Sequence, residues 1–591
     1  MAASGFLARY SEELAALRRR AARFAQAHPK VAGRLRLSDE TADDPHVERI
    51  VQSFAFVAAR VRQKIDDEFP ELTGSLVETL YPHYLAPVPS MMTVRFKPVS
   101  GLDAVQTVPR HTEFATETIE NERCRFRVTQ DVALAPVELT GAKLGSQPIE
   151  APLAPHLKAA ACLRLSLGST GPAGAIGGLG LRSLRFHIAG AAREASALHE
   201  LLCNHTLGVA LARHPDDTDP VMLPASVLQP SGFEESQGML PYPASSFIGY
   251  RLLSEYFALP QKFLFLDIGG LDRWRGDNLE IFVYLDRADG ALERSVSAEN
   301  FVLNAAPAVN LFAQRAEPIV VDGTRTEHRL VPDARRHRTR EVHGITNVTL
   351  TDREGRKERA PHFFEGASSE AVAWQLHRRF DPLDGTSDVS VAFVERFGAS
   401  VAHREAVASV DTVCLNRDLP ERLPFGGGHP RLEMVDPLAS VAGLEAISAP
   451  TPAMRFDEDE ERRWRLVSHL NLNHLSLADG NGAALKEMLR LYVLGDRREP
   501  NLQIDAIAGV SAKPAVARVG GGGMVPGTDV TLTFEPAQIE RGTAYLFSSV
   551  LDRFFGLYTS INSFSRLTVL MRGQDEPVAR FPARLAERPL L

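Results

Sequence analysis

Phe69-Pro-Glu-Leu-Thr-Gly-Ser-Leu-Val-Glu-Thr-Leu-Tyr-Pro-His-Tyr-Leu-Ala-Pro-Val-Pro-Ser-Met91 is the stretch on which the architecture turns. Its first half reads as a short helix from Glu71 to Tyr81, with Pro70 in the first turn, where a missing N–H costs nothing. Leu72, Leu76 and Leu80 recur at i, i+4 and i+8 and form one apolar stripe. Pro82 is expected to end that helix, and Pro87 and Pro89 to hold the exit extended. Beyond it Met92, Val94 and Phe96 alternate with Thr93, Arg95 and Lys97, the period of a half-buried strand. A proline-set corner therefore joins a helical N-terminal region to a β-rich body, and nothing in it is suited to chemistry.

Upstream, residues 4–28 read as a helix whose apolar positions, Phe6, Tyr10, Leu14, Leu17, Ala21 and Phe24, advance by threes and fours. The stripe is narrow and heptad-like, which suits either a partner helix or an internal core. A second helix starts at Asp44 as N-cap with Pro45 behind it. Val47, Ile50, Val51, Phe54, Val57, Ala58, Val61 and Ile65 give it a broad apolar face, expected to anchor an N-terminal bundle.

Downstream, short strands separated by turns are expected near Met92–Lys97, Arg123–Thr129, Val137–Leu144, Leu163–Leu167 and Leu181–Ile188. A helix is predicted from Arg193 to His214. Another, capped by Ser245 or Ser246, carries Leu252, Leu253, Tyr256 and Phe257 and stops at Pro260 before a buried strand, Phe263 to Ile268. Strand-like alternation returns at Ile319–Val321, Val342–Leu350, Val389–Val394 and Val410–Leu415. Between two of these lies Arg335-Arg-His-Arg-Thr-Arg340, a solvated loop or a docking surface for an acidic partner in preference to a phosphate site. Residues 417–456, rich in Pro and Gly, read as a linker. Beyond it the acidic run 457–461 opens a helix through Trp464 and Leu470, followed by a helix at Ala483–Leu494, a flexible Gly520–Gly523 tip, a strand at 528–534, a helix at 543–558 and a last strand at Ile561–Leu570. The fold class is thus α+β and multidomain: 1–90 an N-terminal helical region, 91–245 a β-rich domain with one helix, 246–425 a second β-rich domain, 426–455 a linker, and 456–591 a mixed C-terminal domain.

Composition narrows the function. A chain of 591 residues, 44% hydrophobic and 24% charged, is ordinary for a soluble globular protein. A net charge of −8 gives no bulk attraction to nucleic acid or anionic membrane. Cys124, Cys162, Cys203 and Cys414 lie far apart, the pattern of free thiols in a reducing compartment. No apolar run reaches the ~18 residues of a membrane span and no signal-peptide core is present, so a cytoplasmic protein is expected. P-loop, HExxH and GxSxG motifs are absent. His469 and His474 are five apart and do not converge on one helix face, and Asp381, Asp384 and Asp388 lack the spacing of a calcium loop. No catalytic, cofactor-binding or metal-binding residues are expected.

Asp66-Asp-Glu-Phe-Pro-Glu-Leu-Thr73, Tyr81-Pro-His-Tyr-Leu85 and Pro87-Val-Pro-Ser-Met91 resemble the signature of the TssF family. Further blocks agree: Asp44-Pro-His-Val-Glu-Arg49, Arg251 to Phe265, Pro307 to Phe312 with Asn310, Trp464 to Leu477, Ser549 to Phe555, and Asn562-Ser-Phe564. Ala305 stands where the family usually has cysteine, and Phe581-Pro where it usually has Trp-Pro. The resemblance implies a structural subunit of the type VI secretion baseplate, forming wedges with a TssG-like partner around the spike hub. It also implies contacts with TssE-like and TssK-like subunits, more than one copy per wedge, no nucleic acid, no membrane insertion, and docking at the inner membrane through the baseplate. The residues expected to be structural or interacting are Phe6, Tyr10, Leu14, Leu17 and Phe24 from the heptad-like stripe, and Phe69, Pro70, Leu72, Tyr81, Pro82, Tyr84, Pro87, Pro89, Tyr256, Phe257, Asn310, Trp464 and Asn562 from the blocks that carry the resemblance. The rival reading is a cytoplasmic hydrolase using a carboxylate pair that sequence does not reveal.

Overall fold

A computed structural model describes residues 44–66, 77–78, 81–172, 174–243, 246–365, 372–381, 385–395, 406–456, 482–495, 497–519, 523–559 and 562–585, with scattered helical positions between 10 and 31 and at 462, 465 and 466. The chain is mixed α+β and divides into two compact units, Met1–Thr79 with Asp459–Val467, and Leu80–Glu458 with Ser468–Leu591.

In the first unit, α1 runs from Pro45 to Asp66. The Asp44 carboxylate accepts the His46 N–H at 2.8 Å, so the expected cap and proline start are both present. The burial differs from expectation. Ile50, Phe54 and Val57 are 68%, 62% and 57% exposed, while Ala55 and Ala59 on the opposite side are fully buried. The helix packs within the chain through these small residues and turns Ile50, Phe54 and Val57 outward. Periodicity fixes that a face exists; it does not say what covers it.

The second unit is organised around a closed six-stranded barrel. Its order is Met91–Pro98, Ala305–Val309, Glu122–Val128, Glu113–Ile119, Leu432–Met434 and Val441–Ala446. Met92, Val94 and Phe96 point inward as their alternation requires, and meet Phe114, Phe126, Ala308 and Leu432. The Phe114 and Phe126 rings stack at 5.8 Å. The barrel draws strands from across the boundaries expected at 245/246 and 425/426, and the expected linker at 426–455 supplies two of its staves. Gly426, Gly427 and Gly428 all have positive φ and form the turn that feeds them, which explains why the stretch reads as linker.

Two further sheets are inserted between the barrel strands. One has the order Val221–Pro224, Thr206–Ala212, Leu279–Leu285, Ala161–Ser169, Val137–Ser146, and the other Leu228–Ser231, Phe265–Gly269, Ser183–Ile188, Phe301–Leu303. The one-turn helix α2 spans Pro82–Leu85, α3 spans Ala192–His205, and α4 spans Ile248–Ala258. The helix expected through His214 ends at His205, because Thr206–Ala212 pairs on both edges inside the first sheet and tertiary pairing overrides local preference. At α4 the N-cap is Phe247, with no side-chain cap; Ser246 lies one residue earlier and Ser245 falls outside the described residues. Residues 312–415 form two more antiparallel sheets.

The C-terminal part holds α5 (Ala483–Leu491), α6 (Arg498–Asp505) and α7 (Arg541–Leu557). Gly523–Phe534 and Phe564–Met571 pair in parallel, joined by α7 as the crossover that a parallel pair needs. Gly542 sets the approach of α7 to α3: a Cβ there would lie 2.6 Å from the Ala197 nitrogen. A polar node ties the same elements. His205 Nδ1 bonds Asp286 at 2.7 Å and Nε2 bonds Glu200 at 3.1 Å, Arg541 reaches Glu200 at 3.2 Å, and Asn204 donates to the Val578 carbonyl. Burial disfavours a charged ring here, but the two carboxylates outweigh it and raise the His205 pKa above 6.5. A raised folded pKa stabilises below the unfolded value and loses that contribution as pH rises through the folded one. His205's own contribution is therefore lost as pH rises past its titration, against the gain from buried neutral histidines such as His83, His187 and His343. The melting-temperature gap between wild type and His205→Asn is expected to be widest near pH 6 and to narrow as pH is raised, and a gap independent of pH would refute the assignment.

Candidate interaction site

The corner residues meet three parts of the second unit at once. Pro82 is the first residue of α2, with Tyr81 as a non-helical N-cap, because proline's fixed φ suits a first turn and its absent N–H has no partner to lose. The Tyr84 hydroxyl donates to the Leu491 carbonyl at 2.6 Å, and its ring meets Phe456 and Tyr492 edge-on. Tyr81 packs edge-on against Tyr250, which stacks on Tyr492 at 5.0 Å. Val88 exchanges backbone hydrogen bonds with Met454. The corner thus joins the barrel, α4 and the C-terminal helices through buried rings.

Electrostatics agree with a structural joint. Burial pushes the Tyr81 hydroxyl up to about 12, helped by Tyr558, and drives the His83 ring down to about 3, so both stay neutral. Pro87 and Pro89 are buried and pass the chain directly into the first barrel strand. Replacing both by glycine is expected to destabilise by about 1–2 kcal/mol, since each proline restricts the unfolded chain. A urea midpoint equal to wild type would count against the corner's role.

The other expected residues sort clearly. Tyr256 and Phe257 are core residues of α4, and the Tyr256 hydroxyl donates to Gln503 at 2.9 Å. Asn310 is fully buried and donates to the Arg125 carbonyl and to Asn416, while the Asn416 N–H returns a bond to its side-chain oxygen, so it pins the barrel to the next sheet. Asn562 has φ 62° and an exposed side chain, a turn residue before the last long strand. Tyr10, Leu14 and Leu17 are half-buried and Phe24 is exposed, with Tyr10 set edge-on to Phe56. Phe6, Phe69, Pro70, Leu72 and Trp464 lie outside the described residues, as do most of the helix expected at 71–81, His469, His474, Asp384, the 457–461 run and the 520–522 tip. In the arginine loop, Arg336 and Arg340 are committed to Glu122 at 3.2 and 3.0 Å.

One arrangement escaped the sequence reading. Glu255 on α4 is fully buried; it accepts the N–H groups of Met239 and Leu240 at 2.7 and 2.9 Å and bonds the buried Lys262 ammonium. Burial lowers the Lys262 pKa against the opposing pull of Glu255. The i,i+4 spacing of Arg251 and Glu255 was visible in the sequence; their burial was not. Cys124 and Cys162 are buried thiols raised to about 12. Among the described residues, no group of three His, Cys, Asp or Glu is placed to hold a metal ion, and no helix is long and apolar enough to cross a membrane.

The family described as "Type VI secretion system, TssF" matches residues 2–588. A Pseudomonas aeruginosa protein, "Type VI secretion system component TssF1", is 34% identical over 98% of this chain and 99% of its own length. A chain from a cryo-electron-microscopy structure of a TssK-TssF-TssG baseplate subcomplex shares the fold at TM-score 0.73 and 24% identity, covering 92% of this chain and all of its own. A chain from a structure titled as the type VI baseplate complex aligns at TM-score 0.58 and 23% identity, covering 98% of this chain and all of its own.

Proposed function

The chain belongs to the TssF family of type VI secretion systems, and from that premise we propose that it is a structural subunit of the secretion baseplate. It forms wedges with a TssG-like partner around the spike hub, meets a TssE-like subunit at the sheath and a TssK-like subunit toward the membrane complex, and is present in more than one copy per wedge. It works in the cytoplasm, held at the inner membrane through the baseplate. The observation that carries this reading is the outward stripe Ile50, Phe54 and Val57 of α1. A line of large apolar side chains on one helix face marks an interaction site, and a partner helix laid along it would bury all three. The likeness to a chain from a TssK-TssF-TssG baseplate subcomplex supports that partner class. Function in such an assembly rests on interfaces with two stable arrangements, one before contraction and one after.

Co-purification of the tagged chain from its native cells tests the reading. TssG-like and TssK-like subunits are expected in stoichiometric amounts, without catalytic turnover. A lone monomer that hydrolyses a substrate would favour the carboxylate-based hydrolase instead.

A further inference from the structure

Behind the Arg335–Arg340 loop lies a cavity of about 230 Å³. Its lining mixes apolar residues, Val331, Pro332 and Ala334, with Glu341, Asp388 and Arg417, while Leu330, Val342 and Val389 back it from the core. Both acids are already committed: Asp388 pairs with Arg329 at 2.8 Å, and Glu341 with Arg455 at 2.7 Å and the Ser387 hydroxyl at 2.7 Å. Arg417 is different. Its Nε is buried without a hydrogen-bond partner, and among the described residues no carboxylate pairs with it. Its φ is 46°, a left-handed conformation that costs energy for any residue but glycine. The neighbours enforce it: Asn416 is fully buried and bonded to Asn310, and Asp418 is bonded to Arg455 at 2.7 Å. The fold holds an unpaired guanidinium, at a conformational cost, on the wall of a cavity.

We propose that this cavity receives a glutamate side chain carried by an acidic segment of a partner protein. The guanidinium of Arg417 matches a carboxylate, and the apolar lining at Val331 and Pro332 matches the methylene stem behind it. A free phosphate has no such stem. Arg335 and Arg338 stand exposed on the loop beside the cavity, and would draw the flanking acids of such a segment. The proposal rests on reading the chain as an assembly subunit; binding to the isolated chain tests it separately from co-purification, which tests that reading.

The probe is a fluorescent, end-blocked hexaglutamate peptide titrated into the full chain. Wild type is expected to bind it, and Arg417→Gly to weaken binding at least tenfold without lowering the melting temperature, because glycine relieves the left-handed backbone. Arg518→Ala, the same loss of one charge on the exposed hairpin strand Ile507–Val519, should leave binding unchanged. Four results would overturn the proposal: no binding by wild type, equal binding by Arg417→Gly, an equal loss in Arg518→Ala, or displacement of the peptide by inorganic phosphate at equal concentration.

Discussion

Lys262→Met is expected to cost the folded chain about 3–5 kcal/mol, the usual penalty when one member of a buried ion pair is removed. Glu255 and Lys262 are both fully buried, so the carboxylate left behind has no water to turn to. Its remaining partners would be the Met239 and Leu240 N–H groups and the Arg251 guanidinium, 3.9 Å away. Those two N–H groups also explain why the pair is present. They belong to the segment that leads into α4, and Glu255 fastens it to the helix. Combining Lys262→Met with Glu255→Gln should recover part of the loss, because glutamine keeps an oxygen for the backbone donors and carries no charge. Urea denaturation followed by near-ultraviolet circular dichroism reads both. A single variant within 1 kcal/mol of wild type would mean that the pair is solvated, contrary to its burial.

The second large effect is on assembly. Changing Phe54 and Val57 together to aspartate places two charges on the outward stripe of α1. Because both side chains are already exposed, little folded-state packing is lost and stability should change by no more than about 1 kcal/mol. Partner association should fall at least a hundredfold, since two interface anchors become charges that must be desolvated to bind. The control is Ala55→Asp on the buried side, which should unfold the unit instead. Full recovery of TssG-like and TssK-like subunits with the Phe54→Asp, Val57→Asp double variant would remove α1 from the interface.

The local patterns were legible where side-chain periodicity and burial coincide. Met92, Val94 and Phe96 read as one face and are one face, because a barrel interior rewards strict alternation. The Asp44-Pro45 start of α1 was legible because capping is a matter of neighbouring residues. What failed was non-local. Val209 to Leu211 looked like a continuing helix, yet the next strand, Val221–Pro224, and the distant Leu279–Leu285 bond to their two edges. Leu432 and Leu444 sit in a Gly- and Pro-rich stretch that reads as linker, yet they pair side by side on adjacent strands of the barrel. Pro82 read as a helix end, and its place as the first residue of α2 shows only once the non-helical Tyr81 backbone is seen. Of the residues expected to be structural or interacting, Tyr81, Tyr84, Tyr256, Phe257 and Asn310 are internal, and sequence did not separate the two roles because aromatic and amide side chains serve a core and an interface by the same physics.

The barrel closes only when Val441–Ala446 pairs with Met91–Pro98. A ribosome adding about 5–20 residues per second therefore releases the first stave on the order of tens of seconds before the last. Throughout that interval the inward face of Met92, Val94 and Phe96 lacks its closing wall while the inserted sheets, those of residues 312–415 among them, are being made. The nascent chain consequently presents a sticky, half-built surface to the crowded cell. Yield during synthesis should depend on a holding chaperone, and a translation product stopped short of Val441 should aggregate.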